Sequence, residues 1–310
     1  MMKVVYMGTP DFAVKPLEAL IEANYDVVGV FTQPDKPVGR KAILTPPPVK
    51  VVALENNIPV FQPDSLRNGV GVELLKDLNP DIVIVVAYGK ILPKDFLDYP
   101  KYGCINIHGS ILPEYRGAAP IQWSVLDGKE LAGVTAMQMD VGLDTGDMLL
   151  TKTTKIGVDE TSGELYDRLT VLGADLLIET LKKLPKGELT PVKQDDSKSS
   201  YASMLDKTMS PVDFTKSAWE VHNKIRGLDP WPVALTVLDG KNLKLFSSHI
   251  SEDLTGGKPG EAVVLKNGLA IFCGDGKAVV VKDVQYEGKK RMAAADFFRG
   301  HPISEETVLG

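Results

Sequence analysis

Apolar residues in the first two-thirds of the chain follow two alternating periods. Short runs dense in Val and Ile, Lys3 to Met7, Asp26 to Thr32 and Asp81 to Ala87, read as buried strands. Between them, apolar positions recur every three or four residues: Phe12, Val14, Leu17, Leu20 and Ile21 in one stretch. That spacing predicts an amphipathic helix, and Asp11 stands where it can cap it. Val49 to Asn56 and Gly71 to Leu78 predict two more helices, Val60-Phe61 a short strand, and Cys104 to His108 a further strand. This order predicts an α/β fold with a doubly wound, mostly parallel sheet, whose ligands bind beyond the carboxyl ends of the strands. Gly8-Thr9-Pro10, Tyr88-Gly89 and His108 fall at such ends and should share one edge.

The pattern then changes. Thr161 to Leu184 is a long helix; Thr161 and Glu164 form a capping box, and Leu165, Leu169, Leu172, Leu176 and Leu177 make its core stripe. Pro185 to Lys207 is rich in Pro, Ser and charge, as a linker would be. Beyond a helix over Ala218 to Arg226, short strands with Gly turns follow one another closely, the signature of a small β-barrel. The expected division is residues 1–189, a linker over 190–207, and a smaller domain over 208–310.

Composition excludes several classes. With 44% hydrophobic and 25% charged residues, the chain has the make-up of an ordinary globular protein. Two Cys make a disulfide framework unexpected and fit a reducing compartment. The N-terminus is too soon interrupted for a signal peptide, no run approaches a membrane span, and no Cys/His cluster has metal-ligand spacing. The net charge of −6 argues against indiscriminate nucleic-acid binding, though all of the acidic excess lies before Thr208.

The candidate chemistry lies between Gly103 and Asp147. Strand alternation puts Cys104, Asn106 and His108 on one face and Ile105 and Ile107 on the other. His108 can act as general acid or base. The Asn106 amide can donate to charge developing on a carbonyl oxygen. Beyond a strand over Val134 to Met139 comes an acidic glycine loop, Asp140 to Asp147, whose Asp144 could orient the imidazole and favour its charged form. With no Ser or Cys in a nucleophile elbow, this set fits acyl-type transfer without a covalent enzyme intermediate. A strand histidine can equally be a hydrogen-bonded structural residue. Gly8-Thr9-Pro10-Asp11-Phe12 lacks G-x-G-x-x-G spacing and reads as a tight strand-to-helix turn.

Asn106-Ile107-His108, Ser110-Ile111-Leu112-Pro113, Arg116-Gly117-Ala118-Ala119-Pro120 and Asp140 to Gly146 together closely resemble the formyltransferases that use 10-formyltetrahydrofolate. The likeness runs from Gly8 through Pro230-Trp231-Pro232, covers nearly all 310 residues, and is with the branch that formylates methionyl initiator tRNA. Ile111 replaces a Leu of the family's segment, and Met204 stands where its Tyr-Ala-x-Lys element has Lys, with Lys207 nearby.

The resemblance implies transfer of the formyl group of 10-formyltetrahydrofolate, a co-substrate, to the α-amino group of methionyl initiator tRNA, for translation initiation. It implies catalysis by Asn106, His108 and Asp144, and folate binding by Tyr88, Gly89, Ile91, Leu92, Ser110, Ile111, Leu112, Pro113, Val141 and Gly142. It names the second domain as OB-like, and the basic loop Gln33 to Lys50 as the segment entering the acceptor stem. Arg40, Lys41, Lys207, Lys289, Lys290 and Arg291 are the candidate tRNA contacts. No metal, membrane or obligate protein partner is expected, and the location is cytoplasmic. The rivals are a formyltransferase for another amine (glycinamide ribonucleotide or an amino sugar nucleotide), a folate hydrolase, and a non-catalytic RNA-binding protein. The second domain and the Pro-Trp-Pro element argue against the first, and the intact Asn106, His108 and Asp144 against the last.

Overall fold

Val and Ile build the centre of the first unit. In the computed structural model, which describes residues 2–39, 41–304 and 306–310, the strand β6 (Ile82–Val86, IVIVV) is buried at every position. β-Branched side chains suit a pleat covered on both faces. Its neighbours are β1 (Lys3–Gly8) and, on the other side, β7 (Cys104–His108), both parallel to it. β1 pairs in parallel with β2 (Asp26–Phe31), and β2 with β5 (Val60–Phe61). Between β2 and β5 lie an exposed antiparallel hairpin, β3 (Lys36–Val38) with β4 (Ile43–Thr45), and the helix α2 (Pro48–Glu55). The helices α1 (Val14–Glu22), α3 (Val70–Leu78) and α4 (Lys94–Leu97) complete this half. After β8 (Arg116–Gly117) and α5 (Pro120–Leu126) come β9 (Leu131–Gln138), β10 (Met148–Lys155) and α6 (Ser162–Lys183). The sheet order is β10-β9-β7-β6-β1-β2-β5.

The mostly parallel sheet is as expected, and its register puts Gly8 beside Val86 and Asn106 beside Val85, so the three strand ends share one edge. Two local expectations fail, and one strand was not foreseen. Asp11 does not cap α1; the chain enters through a 3-10 turn, Asp11–Ala13, with Pro10 in the capping position and no side-chain cap. The loop over 33–48 carries the β3–β4 hairpin. The mixed sequence of β10 gave no sign of a strand: three of its eight residues are exposed and only one is fully buried.

The C-terminal stretch of the second unit begins at Ala202, in β11 (Tyr201–Ala202), the partner of β8. It contains α7 (Ala218–Gly227), β12 (Leu235–Leu238), β13 (Lys241–Thr255), β14 (Ala262–Leu265), β15 (Gly268–Phe272), β16 (Lys277–Tyr286), β17 (Met292–Ala293) and α8 (Ala294–Gly300). Its antiparallel sheet has the order β12-β13-β16-β15-β14, with β17 on β16; closure into a barrel is not among these pairings. Residues 118–132 and 155–165, expected in the first domain, group with this unit. The reason is local: α5 packs on α7, and Ser162 and Gly163 donate to the Asp229 carbonyl at 2.7 and 3.1 Å.

A buried polar cluster holds α7. His222 Nε2 is 2.9 Å from the Val158 carbonyl and so carries the hydrogen; Nδ1, 2.9 Å from Ser248 Oγ, accepts the hydroxyl. Desolvation of the fully buried ring depresses its pKa; the Val158 carbonyl and Asp159 oppose this, while Arg226 and His249 add to it. Below the ordinary histidine value of 6.5 the unfolded chain therefore binds the extra proton first. The second unit should be fully stable above that pH and lose stability as pH falls below it. The check is Tm at about pH 7.5 and about pH 5.5, either side of the histidine range, with His222→Gln flattening the dependence.

Candidate active site

His108 ends β7 on the same face as Asn106 and Cys104, while Ile107 on the opposite face packs toward Gly173 of α6. His108 is buried, and its Nε2 donates to the Tyr115 carbonyl at 2.9 Å. Tyr115 has φ of +60°, a left-handed conformation uncommon outside glycine. The opposite nitrogen, Nδ1, lies 3.8 Å from Asp144 Oδ2. That is ion-pair range and too long for a direct hydrogen bond. The same Asp144 Oδ2 accepts the Gly117 amide at 2.8 Å.

Asp144 arrives by a route the linear pattern does not show. β9 runs antiparallel to β7, so its end, Gln138, pairs with Ile105 and not with His108. The loop 139–147 must double back along the face to bring Asp144 to the imidazole. Asp140 Oδ1 stiffens this loop by accepting from the Gly142 amide at 3.0 Å and Thr145 Oγ1 at 2.7 Å. Gly146 lies against the Gln138 carbonyl, leaving no room for a Cβ.

Asn106 is only 9% exposed, yet among the described residues its carboxamide has no hydrogen-bond partner. The fully buried side-chain polar atoms without a partner among the described residues belong to Tyr88, Thr236 and His249, so the Asn106 amide keeps access to solvent and hence to a ligand. Thr135, opposite His108 in the ladder, anchors the next segment: its Oγ1 donates to the Ser110 carbonyl at 2.8 Å and accepts from Leu112 N at 3.3 Å. Ser110 Oγ in turn donates to the Glu114 carbonyl at 2.6 Å.

The other sequence-predicted residues divide. Tyr88 turns its side chain into the core among Phe31, Leu75 and Phe96, where burial pushes its pKa up to about 12 and the hydroxyl has no partner among the described residues. What Tyr88 offers its loop is backbone, and its carbonyl already accepts from Thr9 Oγ1 and Gln33 Nε2, each at 3.0 Å. This ties the Gly8-Thr9-Pro10 turn to the Tyr88 loop. Leu92 and Leu112 are buried, while Ile91 is 73% and Val141 68% exposed. Gly89, at φ +85°, and Gly142 are exposed loop backbone; Ile111 and Pro113 are half-buried. Among the basic candidates, Lys41, Lys207, Lys289 and Lys290 are exposed, and Arg40 lies outside the described residues. Arg291 is engaged within the second unit: it pairs with Asp283 at 2.8 Å and lies over the Phe246 ring. Lys50 is held by Asp35 and Gln62 at 2.8 and 2.9 Å. Among the described residues, no group of three or more His, Cys, Asp or Glu could hold a metal ion, and no helix is long and apolar enough to cross a membrane.

Linear reasoning missed Thr135, Ser200 and Gln194. Ser200 Oγ accepts the Tyr115 amide at 2.8 Å, and Gln194 donates to the carbonyls of Asp144 and Gly146. Both sit in a polar run that reads as a linker, and neither carries a periodic signal.

An amide, an imidazole and a carboxylate gather near the end of β7 in a mostly parallel sheet, and family models match most of the chain. Residues 2–181 match the Formyl transferase model and residues 204–302 the Formyl transferase, C-terminal domain model. The chain belongs to the formyl transferase family and, within it, to the methionyl-tRNA formyltransferases. It is 53% identical over 310 residues to the Methionyl-tRNA formyltransferase of Clostridium novyi, across 99% of this chain and all of that one. The Lachnospira eligens Methionyl-tRNA formyltransferase is 50% identical, with both chains covered in full. The fold is also that of a crystal structure of an N-formyltransferase from Helicobacter canadensis in complex with folinic acid and dTDP-3-aminofucose. That match has a TM-score of 0.71 at 22% identity, over 92% of this chain and all of the other.

Proposed function

We propose that this protein transfers the formyl group of 10-formyltetrahydrofolate to the α-amino group of methionyl initiator tRNA, in the cytoplasm. The observation that carries this is the unpartnered amide of Asn106 on one strand face with His108, itself beside Asp144, in a chain whose whole length matches methionyl-tRNA formyltransferases. The amino nitrogen attacks the formyl carbon, and the carbonyl electrons move onto oxygen. Asn106 donates an N–H to that oxyanion, and His108, as the imidazolium, supplies positive charge beside it. Collapse of the intermediate breaks the carbon–nitrogen bond to folate. The proton lost by the attacking nitrogen is taken up by the folate nitrogen, with His108 and Asp144 as relay. The exposed apolar residues Ile91 and Val141 and the backbone around Gly89 and Gly142 suit a flat heterocycle. The catalytic work belongs to residues 1–189, and 208–310 serve tRNA binding.

In an acidic protein the tRNA must be held by a few local cations. Each phosphate contact releases counterions, so affinity falls with salt by roughly 0.7–0.9 log units per log unit for each contact. Lys289→Ala with Lys290→Ala should weaken tRNA binding and flatten that slope while the folate KM stays unchanged. Arg40→Ala with Lys41→Ala should do the same from the first unit. The assay compares initiator methionyl-tRNA, a charged elongator tRNA and small amines as acceptors across a salt series. Efficient transfer to small amines with unaltered slopes would remove the tRNA from this proposal.

A further inference from the structure

Residues 191–200 look like solvated chain: each is exposed except Gln194, which is 9% exposed. A single buried polar side chain in an exposed run needs a reason, since burying an amide is unfavourable unless its bonds are made. Gln194 makes all four that an amide can make. Its Nε2 donates to the Asp144 and Gly146 carbonyls, both at 2.8 Å. Its Oε1 accepts Arg116 Nε at 3.0 Å and Arg116 Nη2 at 2.9 Å. Two carbonyls on one side and a guanidinium on the other leave one orientation of the amide. Arg116 is itself anchored by Asp196 at 2.7 Å and by its backbone amide on the Ser200 carbonyl at 2.9 Å.

Three consecutive residues thus organise the site. The Tyr115 carbonyl holds His108, the Gly117 amide holds the Asp144 carboxylate, and between them Arg116 holds the glutamine that grips the Asp144 backbone. Asp144 has φ of +54°, unfavourable for a residue with a Cβ, and the surroundings must keep it there. We infer that Gln194 is a positioning residue for formyl transfer: locked by Arg116, it holds the Asp144 backbone so that the carboxylate stays against His108. This rests on the proposed function only for its kinetic arm.

The test uses Gln194→Glu in the full chain, with Gln194→Ala beside it. Glutamate keeps the volume and the bond to Arg116 but turns oxygen toward two carbonyls. Both variants should lower kcat by about 10²-fold, the cost of a small misplacement of a reacting group, with the KM values for folate and tRNA near wild type. Added to Asp144→Asn, either should cause no further loss, because the effect passes through Asp144. The imidazole NMR resonances of His108 should move in Q194E as they move in D144N; this arm needs no turnover, so it stands if the assigned reaction is wrong. Arg116→Lys, which loses the two-pronged bond, should reproduce the pattern more weakly. A wild-type kcat in Q194E, losses that multiply in the double variant, or unmoved His108 resonances would each overturn the assignment.

Discussion

His108→Ala should lower the rate of formyl transfer by about 10²–10⁴-fold, the worth of a positioned acid–base group. Asn106→Ala should lower it by about 10²–10³-fold, the worth of one oxyanion donor. The two differ in what they do to the fold. His108 is bonded to the Tyr115 carbonyl, so its removal breaks a buried hydrogen bond, at a cost of about 0.5–1.5 kcal/mol. Asn106 has no such partner, so its truncation breaks no hydrogen bond of the described protein and should barely move Tm. A large rate loss with an unchanged melting curve is therefore expected of Asn106→Ala, and a structural asparagine would not produce it. Single-turnover transfer measured beside thermal melting reads both quantities. Near-wild-type rates in both variants would show that the chemistry lies elsewhere.

Arg226→Ala should be the most damaging change in the second unit. Arg226 is buried on α7, with Nη1 on the carbonyls of Gly157 and Glu160 at 3.1 and 3.0 Å and Nε on Asn223 Oδ1 at 2.9 Å. Burial pushes its pKa down, with Asp159 and Glu160 opposing. Alanine would leave three acceptors short of a donor and open a cavity beside Trp219, whose ring lies 5.6 Å from the guanidinium. Taking the donor away from a buried acceptor costs about 1–3 kcal/mol, so the loss over these contacts and the cavity is about 3 kcal/mol or more. For a unit of this size that is roughly 10 °C of Tm. Arg226→Lys, able to reach one carbonyl at best, should recover only part. Calorimetry on the full chain checks this, and a variant melting with the wild type would show that α7 is held by its apolar face alone.

The elements that run on local rules were legible in the linear pattern. The buried run over Ile82 to Val86, the helical spacing after Phe12 and the capping box at Thr161, where Glu164 Oε2 accepts the Thr161 amide at 2.8 Å, each depend on residues a few positions apart. The same holds for Asn106 and His108, which alternation along one strand puts on one face. Residue type also pointed to Asp144 as the acid beside the histidine.

How Asp144 gets there was not legible. It depends on β9 running against β7 and on a loop folding back over the sheet, and the apolar run over Val134 to Met139 does not show which way that strand pairs. Gln194 and Ser200 were hidden for the same reason: their bonds join residues 48 to 85 positions apart. Those bonds satisfy polar groups, which have no period, where apolar burial does. Local spacing was thus enough to name the fold and the chemical groups. The distances between those groups, and the strap that holds them, came from hydrogen bonds that exist only once the chain has closed on itself.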